Sequence, residues 1–422
     1  MEKKKTMTPK LRFPEFEGDW EEKRLGELGK LISGLNGKSG EDFGKGRLYV
    51  TYKQVFDNSI IDFKKCGKVY IGENENQNIL QKGDILFTAS SETPDEVGFA
   101  SVVIEQPKEA TYLNSFCFAL RPFDTKENFP EFFRYLFHSP LYRKSVAALA
   151  QGITRYNISK GAFLNLKLSI PNLNEQQKIA ATLTSLDDLL AAQAEKVKAL
   201  QAHKKGLMQQ LFPAEGERVP RVRFPEFEGE WEEKRLGEVG EFTGGGTPSK
   251  SSQQYWEGNI PWISSSDISE DSIHQFSISR FITKEALEQS ATKLVPANSI
   301  LLVSRVGVGK LAVSNTEVCT SQDFTNFTPD SDNLIFMAYL LKYESKTLIK
   351  ICQGMAIKGF TKEDISKLNL FLPSKPEQQK IAALLTSLDD LITVHNQKLE
   401  VLKAHKKGLM QQMFPASHQE AL

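Results

Sequence analysis

Residues 175–189 read EQQKIAATLTSLDDL, and residues 377–391 read EQQKIAALLTSLDDL. Each belongs to a longer match: residues 171–214 and 373–416 are identical at 29 of 44 positions, both ending in AHKKGLMQQ(L/M)FPA. In the first copy the apolar slots fall at Ile179, Leu183, Leu186, Leu190, Val197, Leu200, Leu207 and Leu211, with Gln193 and Lys204 filling the polar slots. The second copy gives Ile381, Leu385, Leu388, Ile392, Leu399, Leu402, Leu409 and Met413, with His395 and Lys406 at the matching polar slots. The steps alternate four and three throughout, which is a heptad seam rather than a plain amphipathic stripe. Pro171 and Pro373 precede the seams, and Pro213 and Pro415 come after them, as expected of residues that cannot continue a helix. The pattern predicts helices over about 175–211 and 377–413, each ~55 Å long at 1.5 Å per residue. So narrow a seam needs a partner, and the nearest candidate is its own duplicate. The expectation is an antiparallel coiled coil.

Outward from these helices, the chain is written twice. RFPEFEGDWEEKRLGELG at 12–29 recurs as RFPEFEGEWEEKRLGEVG at 223–240, identical at 16 of 18 positions. The intervening stretches diverge and share only a skeleton, such as GDILFT from Gly83 against NSILLVS from Asn298. A period of ~200 residues marks a duplicated domain, too long for a solenoid unit. The resulting organisation is a tail at 1–12, a domain at 13–170, a helix at 171–213, a domain at 214–372, a helix at 373–415 and a tail at 416–422. The domains read as mixed α/β (α+β): β-branched runs at 67–71 and 300–303 predict strands between turn residues. One helical stretch closes each domain, 129–151 and 333–353, with Gly152 or Gly354 as C-cap. The acidic WEEK runs at 20–23 and 231–234 read as exposed helix starts. Gly307 to Lys310 reads as a strand-to-strand turn, and Gly244 to Pro248 as a flexible loop.

With 53 basic and 53 acidic residues among 422, net charge points to no partner. No apolar run approaches the ~20 residues of a membrane span. The basic N-terminus lacks the apolar stretch of a signal peptide. Cys66, Cys117, Cys319 and Cys352 form no CxxC pair, which argues against a zinc site or disulfide framework and for a reducing cytoplasm. There is no GxxxxGK[ST], and the six histidines lack HExxH spacing. The sequence points to no metal and no catalytic residue.

Charge distribution says more than its sum. Residues 132–174 contain no acid but carry Arg134, Arg143, Lys144, Arg155, Lys160 and Lys167. Residues 345–362 repeat the pattern with Lys346, Lys350, Lys358 and Lys362. Lysine and arginine neutralise phosphates, and Arg, Asn and Gln form paired bonds to base edges. Gln151, Thr154, Arg155, Tyr156, Asn157 and Lys160 therefore form a candidate DNA-contact cluster, with Lys350, Lys358 and Lys362 its second-domain counterpart. Lys38, Lys53 and Lys250 join them from the polar, glycine-rich segments 34–53 and 245–266.

The two QQKIA–LTSLDD–HKKGLMQQ–FPA helices, the RFPEFEG–W–EKRLGE entries and the alternation with divergent domains resemble the specificity subunit of type I restriction–modification systems. The resemblance covers nearly the whole chain. It implies a non-catalytic reader of double-stranded DNA, with two target-recognition domains held apart by the paired helices around an approximate two-fold. It further implies a bipartite, asymmetric target. Two methylase subunits would transfer methyl groups from S-adenosylmethionine to adenine, with two restriction subunits as optional partners and no cofactor in this chain. A self-contained methyltransferase would need an NPPY/F or DPPY/F motif and a glycine-rich cofactor loop, and neither occurs. One feature departs from a simple DNA reader. Residues 241–372 carry 12 basic and 14 acidic side chains, against 18 and 15 over residues 30–167.

Overall fold

The computed structural model describes residues 8–124, 127–350, 352 and 359–415. The chain divides into two compact units, residues 1–193 with 398–422 and residues 194–397. The heptad stretches form two continuous helices, the central one at Leu173–Leu211 and the C-terminal one at Lys375–Gln412. Each unit thus owns one half of each long helix.

The seam is as the spacing predicts, because every heptad slot of both helices is buried or half-buried. In the first unit Ile179, Ala180 and Leu183, from the start of the central helix, share a core with Leu409, Met410, Met413 and Phe414, from the end of the C-terminal one. In the second unit Leu207, Met208 and Leu211 share a core with Ile381, Ala382 and Leu385. Start meets finish in both, so the pairing within each unit is antiparallel. Two of the four polar slots hold ion pairs across the seam. Lys204 binds both carboxylate oxygens of Asp389 at 2.5 and 2.6 Å, and Lys406 pairs with Asp187.

The constant motifs also dock each domain onto its helices. In the first unit Glu175 is 1% exposed; Arg12 donates to it twice, at 2.8 and 2.7 Å, and Trp20 Nε1 once at 3.2 Å. In the second unit Arg223 makes the same fork on Glu377, at 2.8 and 2.8 Å. Both guanidiniums are held above their ordinary pKa by the facing carboxylate. Gln176 accepts from the Phe129 amide and donates to the Pro171 carbonyl, and Gln378 repeats both contacts with Asn333 and Pro373. The EQ of EQQKIA is therefore structural: a buried carboxylate and amide survive only when every lone pair finds a donor.

The domain sheets repeat one topology. The first unit has a four-stranded antiparallel sheet in the order Gly29–Ser33, Cys117–Pro122, Ile85–Thr88, Ala100–Val102. The second has Gly240–Gly244, Thr325–Pro329, Ser299–Leu302, Leu311–Ser314 in the same order. Beside each lies a mixed sheet with a parallel pair: Phe43–Val50 with Thr111–Leu113, and Ile260–Ile263 with Val318–Thr320. The strand expected from Ile300 is the buried centre of its sheet, and the strand expected from Gly67 is present at Gly67–Val69. Gly307 to Lys310 lies between two paired strands, as expected.

Three expectations are corrected. The WEEK runs are strands, not helix starts: Glu21–Arg24 pairs with Lys167–Ile170, and Glu232–Arg235 with Asn369–Leu372. Partners some 140 residues away decide their state, which local pattern cannot register. The stretch 129–151 is two helices, Pro130–Leu136 and Pro140–Ala147, because Pro140 cannot donate to a continuing helix and starts a new one behind the Ser139 cap. It ends in a strand, Ala150–Gln151, so Gly152 is a hairpin residue rather than a C-cap. The counterpart at 333–353 likewise splits into Leu334–Tyr343 and Ser345–Lys350, while Gly354 lies outside the described residues. Third, Gly245 and Gly246 are wedged rather than loose: a Cβ would stand 1.9 Å from the Ser321 carbonyl oxygen and 2.4 Å from Ala291.

Candidate nucleic-acid interface

In the first unit Tyr156–Ile158 is the middle strand of a small sheet between Ala150–Gln151 and Ser90–Ser91. The hairpin between its outer residues turns on Gly152, φ +141°, where a Cβ would lie 2.1 Å from the Arg155 carbonyl oxygen. Only glycine fits that turn. It carries Gln151, Thr154, Arg155 and Asn157 exposed, with Tyr156 half-buried. The Arg155 guanidinium lies over the Phe116 ring at 4.7 Å. Lys160 lies just beyond the hairpin and donates to Ser33 Oγ at 2.9 Å. Tyr52 donates to the Ser90 carbonyl at 2.8 Å, which brings the exposed Lys53 next to it in sequence beside the same sheet. The hairpin and its surroundings thus carry Lys53, Gln151, Thr154, Arg155, Tyr156, Asn157 and Lys160. They offer an aromatic-backed guanidinium, two amides and two ammonium groups, the set that contacts phosphates and base edges.

Arg134, Arg143 and Lys167 of the acid-free stretch are already engaged within the protein. Arg134 pairs with Asp187 and donates to Ser59. Arg143 donates to the Asp95 and Val97 carbonyls and stacks on Phe99 at 4.1 Å. Lys167 pairs with Glu22 at 2.6 Å. Lys38 is ion-paired with Glu75, its side chain 5% exposed, so its charge is already compensated. Glu75 in turn falls to a pKa of about 2, held down first by Lys38 and then by Gln77.

In the second unit three of the four predicted residues, Lys250, Lys350 and Lys362, lie within the described residues. Lys250 is exposed beyond the wedged glycines. Lys350 stands 3.4 Å from Glu215, both exposed, and such a pair contributes little. Lys362 opens the short helix Lys362–Ser366, capped by Thr361 and Asp364. Lys358 lies outside the described residues. Sequence reasoning missed Ser33, Tyr52 and Phe116, which arrive from a strand end, a helix start and a turn distant in sequence and carry no local signal.

Among the described residues no group of three or more His, Cys, Asp or Glu side chains could hold a metal ion. Burial pushes the Cys66 and Cys319 thiols up to about 11, so neither is an activated nucleophile. No described helix is long and apolar enough to cross a membrane.

Comparison with known proteins places this geometry. The type I restriction modification DNA specificity domain matches twice, over residues 17–202 and 228–404. The MjaIX specificity subunit of Methanocaldococcus jannaschii is 32% identical over 190 residues, 44% of each chain. The putative MjaX specificity subunit of the same organism is 26% identical over 417 residues, 95% of this chain and 94% of that one. The EcoR124I/EcoR124II specificity subunit of Escherichia coli is 33% identical over 172 residues, 39% of this chain and 42% of its own. The fold is that of the S subunit from M. genitalium, with TM-score 0.59 at 17% identity over 97% of this chain and all of that one. A chain from work on complex assembly in the type I R-M system matches at TM-score 0.61 and 20% identity, over 94% and 98% of the two chains. With two specificity domains spanning most of its length, the chain belongs to the type I restriction–modification specificity subunits, a non-catalytic family.

Proposed function

We propose that this chain reads a bipartite, asymmetric DNA target, one half-site per domain, and directs adenine methylation and restriction by partner subunits. The observation that supports it is the internal duplication. The two domains share sheet order and docking contacts, yet differ in the side chains they expose at equivalent places. Constant scaffolding with divergent faces is what independent half-site reading requires. Two methylase subunits, which bring S-adenosylmethionine, and optionally two restriction subunits complete the complex in the cytoplasm. Net acidity over residues 241–372 fits this division, since partner subunits then supply much of the phosphate neutralisation.

Exchanging residues 224–372 for another member's second domain tests the reading. Methylome sequencing should show one half-site replaced and the other unchanged. Changes in both halves would contradict modular recognition.

A further inference from the structure

Resting on that reading, we infer that Arg305 is the base-reading cation of the second domain, in place of the lysines the sequence suggested. The duplication fixes the equivalence through backbone contacts alone. In the first unit the Ala89 amide donates to the Phe116 carbonyl, the Ile158 amide donates to the Ala89 carbonyl, and Ser90 pairs with Asn157. In the second unit the Ser304 amide donates to the Asp323 carbonyl, the Phe360 amide donates to the Ser304 carbonyl, and Arg305 pairs with Gly359. Arg305 therefore occupies the place of Ser90, Gly359 that of Asn157, and Asp323 that of Phe116.

That place is the sheet carrying the recognition hairpin of the first domain. There the guanidinium comes from the hairpin, as Arg155, and rests on the ring of Phe116. In the second domain the residue at the place of Asn157 is Gly359, with no side chain, and the guanidinium comes from the segment it pairs with instead. The two are matched sterically: a Cβ at Gly359 would stand 2.7 Å from Arg305 Cγ and 2.7 Å from the Ser304 carbonyl. Gly359 clears the path of the arginine stem.

Two further observations favour a contact residue. Arg305 is exposed, and its guanidinium has no hydrogen-bond or ion-pair partner among the described residues, unlike Arg280, which is engaged by Asp267. The next residue, Val306, is 60% exposed at φ +44°. A β-branched residue rarely occupies that region, and such strain persists where function requires it. A forked donor beside a strained turn suits bidentate binding to a purine edge such as guanine O6/N7.

The test uses the full chain assembled with its methylase subunits, comparing the parent with Arg305→Ala, Arg305→Lys and Lys284→Ala by methylome sequencing and by titration with target DNA. Arg305→Ala should weaken specific binding roughly ten-fold or more and relax sequence choice in the second half-site alone. Arg305→Lys should restore part of the affinity but not the sequence choice, because a point charge lacks the fork. Lys284→Ala, which removes an exposed cation paired, among the described residues, only with Glu288 on its own short helix, should leave both half-sites intact. Thermal melting confirms that each variant is folded. A second half-site unchanged in a folded Arg305→Ala complex overturns the assignment while leaving the DNA-reading function standing. A parent complex that methylates no bipartite motif overturns both.

Discussion

Asp389→Leu should lower the stability of the second unit by about 3–5 kcal/mol, and adding Lys204→Met should restore most of that loss. Asp389 is 5% exposed and accepts from Lys204 at 2.5 Å and from the Tyr339 hydroxyl at 2.6 Å. Removing the carboxylate alone strands the Lys204 ammonium, 12% exposed, in an apolar seam. Removing both charges leaves a methionine beside the Tyr339 ring, near Met208 and Ile392, with no desolvated ion to carry. Tyr339 keeps a partner in either variant, since His274 Nε2 lies 3.2 Å from its hydroxyl. Burial depresses the His274 pKa, which favours the neutral ring that such sharing needs. Urea unfolding of the four corners of the cycle, monitored through the transition of the second unit, measures the coupling. A double variant as unstable as the single one would show that the pair is not a self-contained charge switch in the seam. In the first unit the equivalent repair must be harder. Asp187 faces both Arg134 and Lys406, so its loss strands two cations, and no single second substitution neutralises them.

These pairs also show what the sequence could and could not reveal. The heptad steps placed the helices to within two residues at each end, because a 3.5-residue period is a local property. The matching polar slots at Lys204 and Lys406 were visible, but their meaning required Asp389 and Asp187 on the other helix, 185 and 219 residues away. The same limit explains the WEEK runs, strand only by virtue of Lys167–Ile170 and Asn369–Leu372. At the candidate interface, an acid-free stretch pointed to the residues around Arg155, which the structure places on one hairpin because they are adjacent in sequence. The same stretch also contains Arg134 and Arg143, whose partners, a carboxylate and backbone carbonyls, lie outside it, so absence of acids in the run did not mean absence of partners in the fold. Arg305 carried no such signal. It stands in a glycine-rich turn, with one lysine as its nearest basic neighbour in sequence, and its significance comes from the strand it pairs with.

Inserting four residues beside Leu200 should widen the unread gap of the target by one or two base pairs, whereas inserting two should abolish methylation. The central helix runs unbroken from Leu173 to Leu211, so an insertion there passes its length and its twist to the second domain. Four residues add ~6 Å at 1.5 Å each, close to two steps of DNA at ~3.4 Å per base pair. They also make just over one turn of a 3.6-residue helix, which rotates that domain by only ~40°. The heptad register survives as a local stutter, unwinding the pair without exposing its seam. Two residues add half that length but rotate the domain by ~200°. They carry Leu207 and Leu211 off the seam, where they now join Ile381 and Leu385 in one core. Lys204 would leave Asp389 as well, so the two-residue variant combines a misdirected domain with a broken buried ion pair. Methylome sequencing separates the outcomes, because the half-site sequences should be identical in the parent and the four-residue variant. An unchanged gap in that variant would show that the helices do not set the distance between half-sites, and a methylating two-residue variant would show that facing is not transmitted along them.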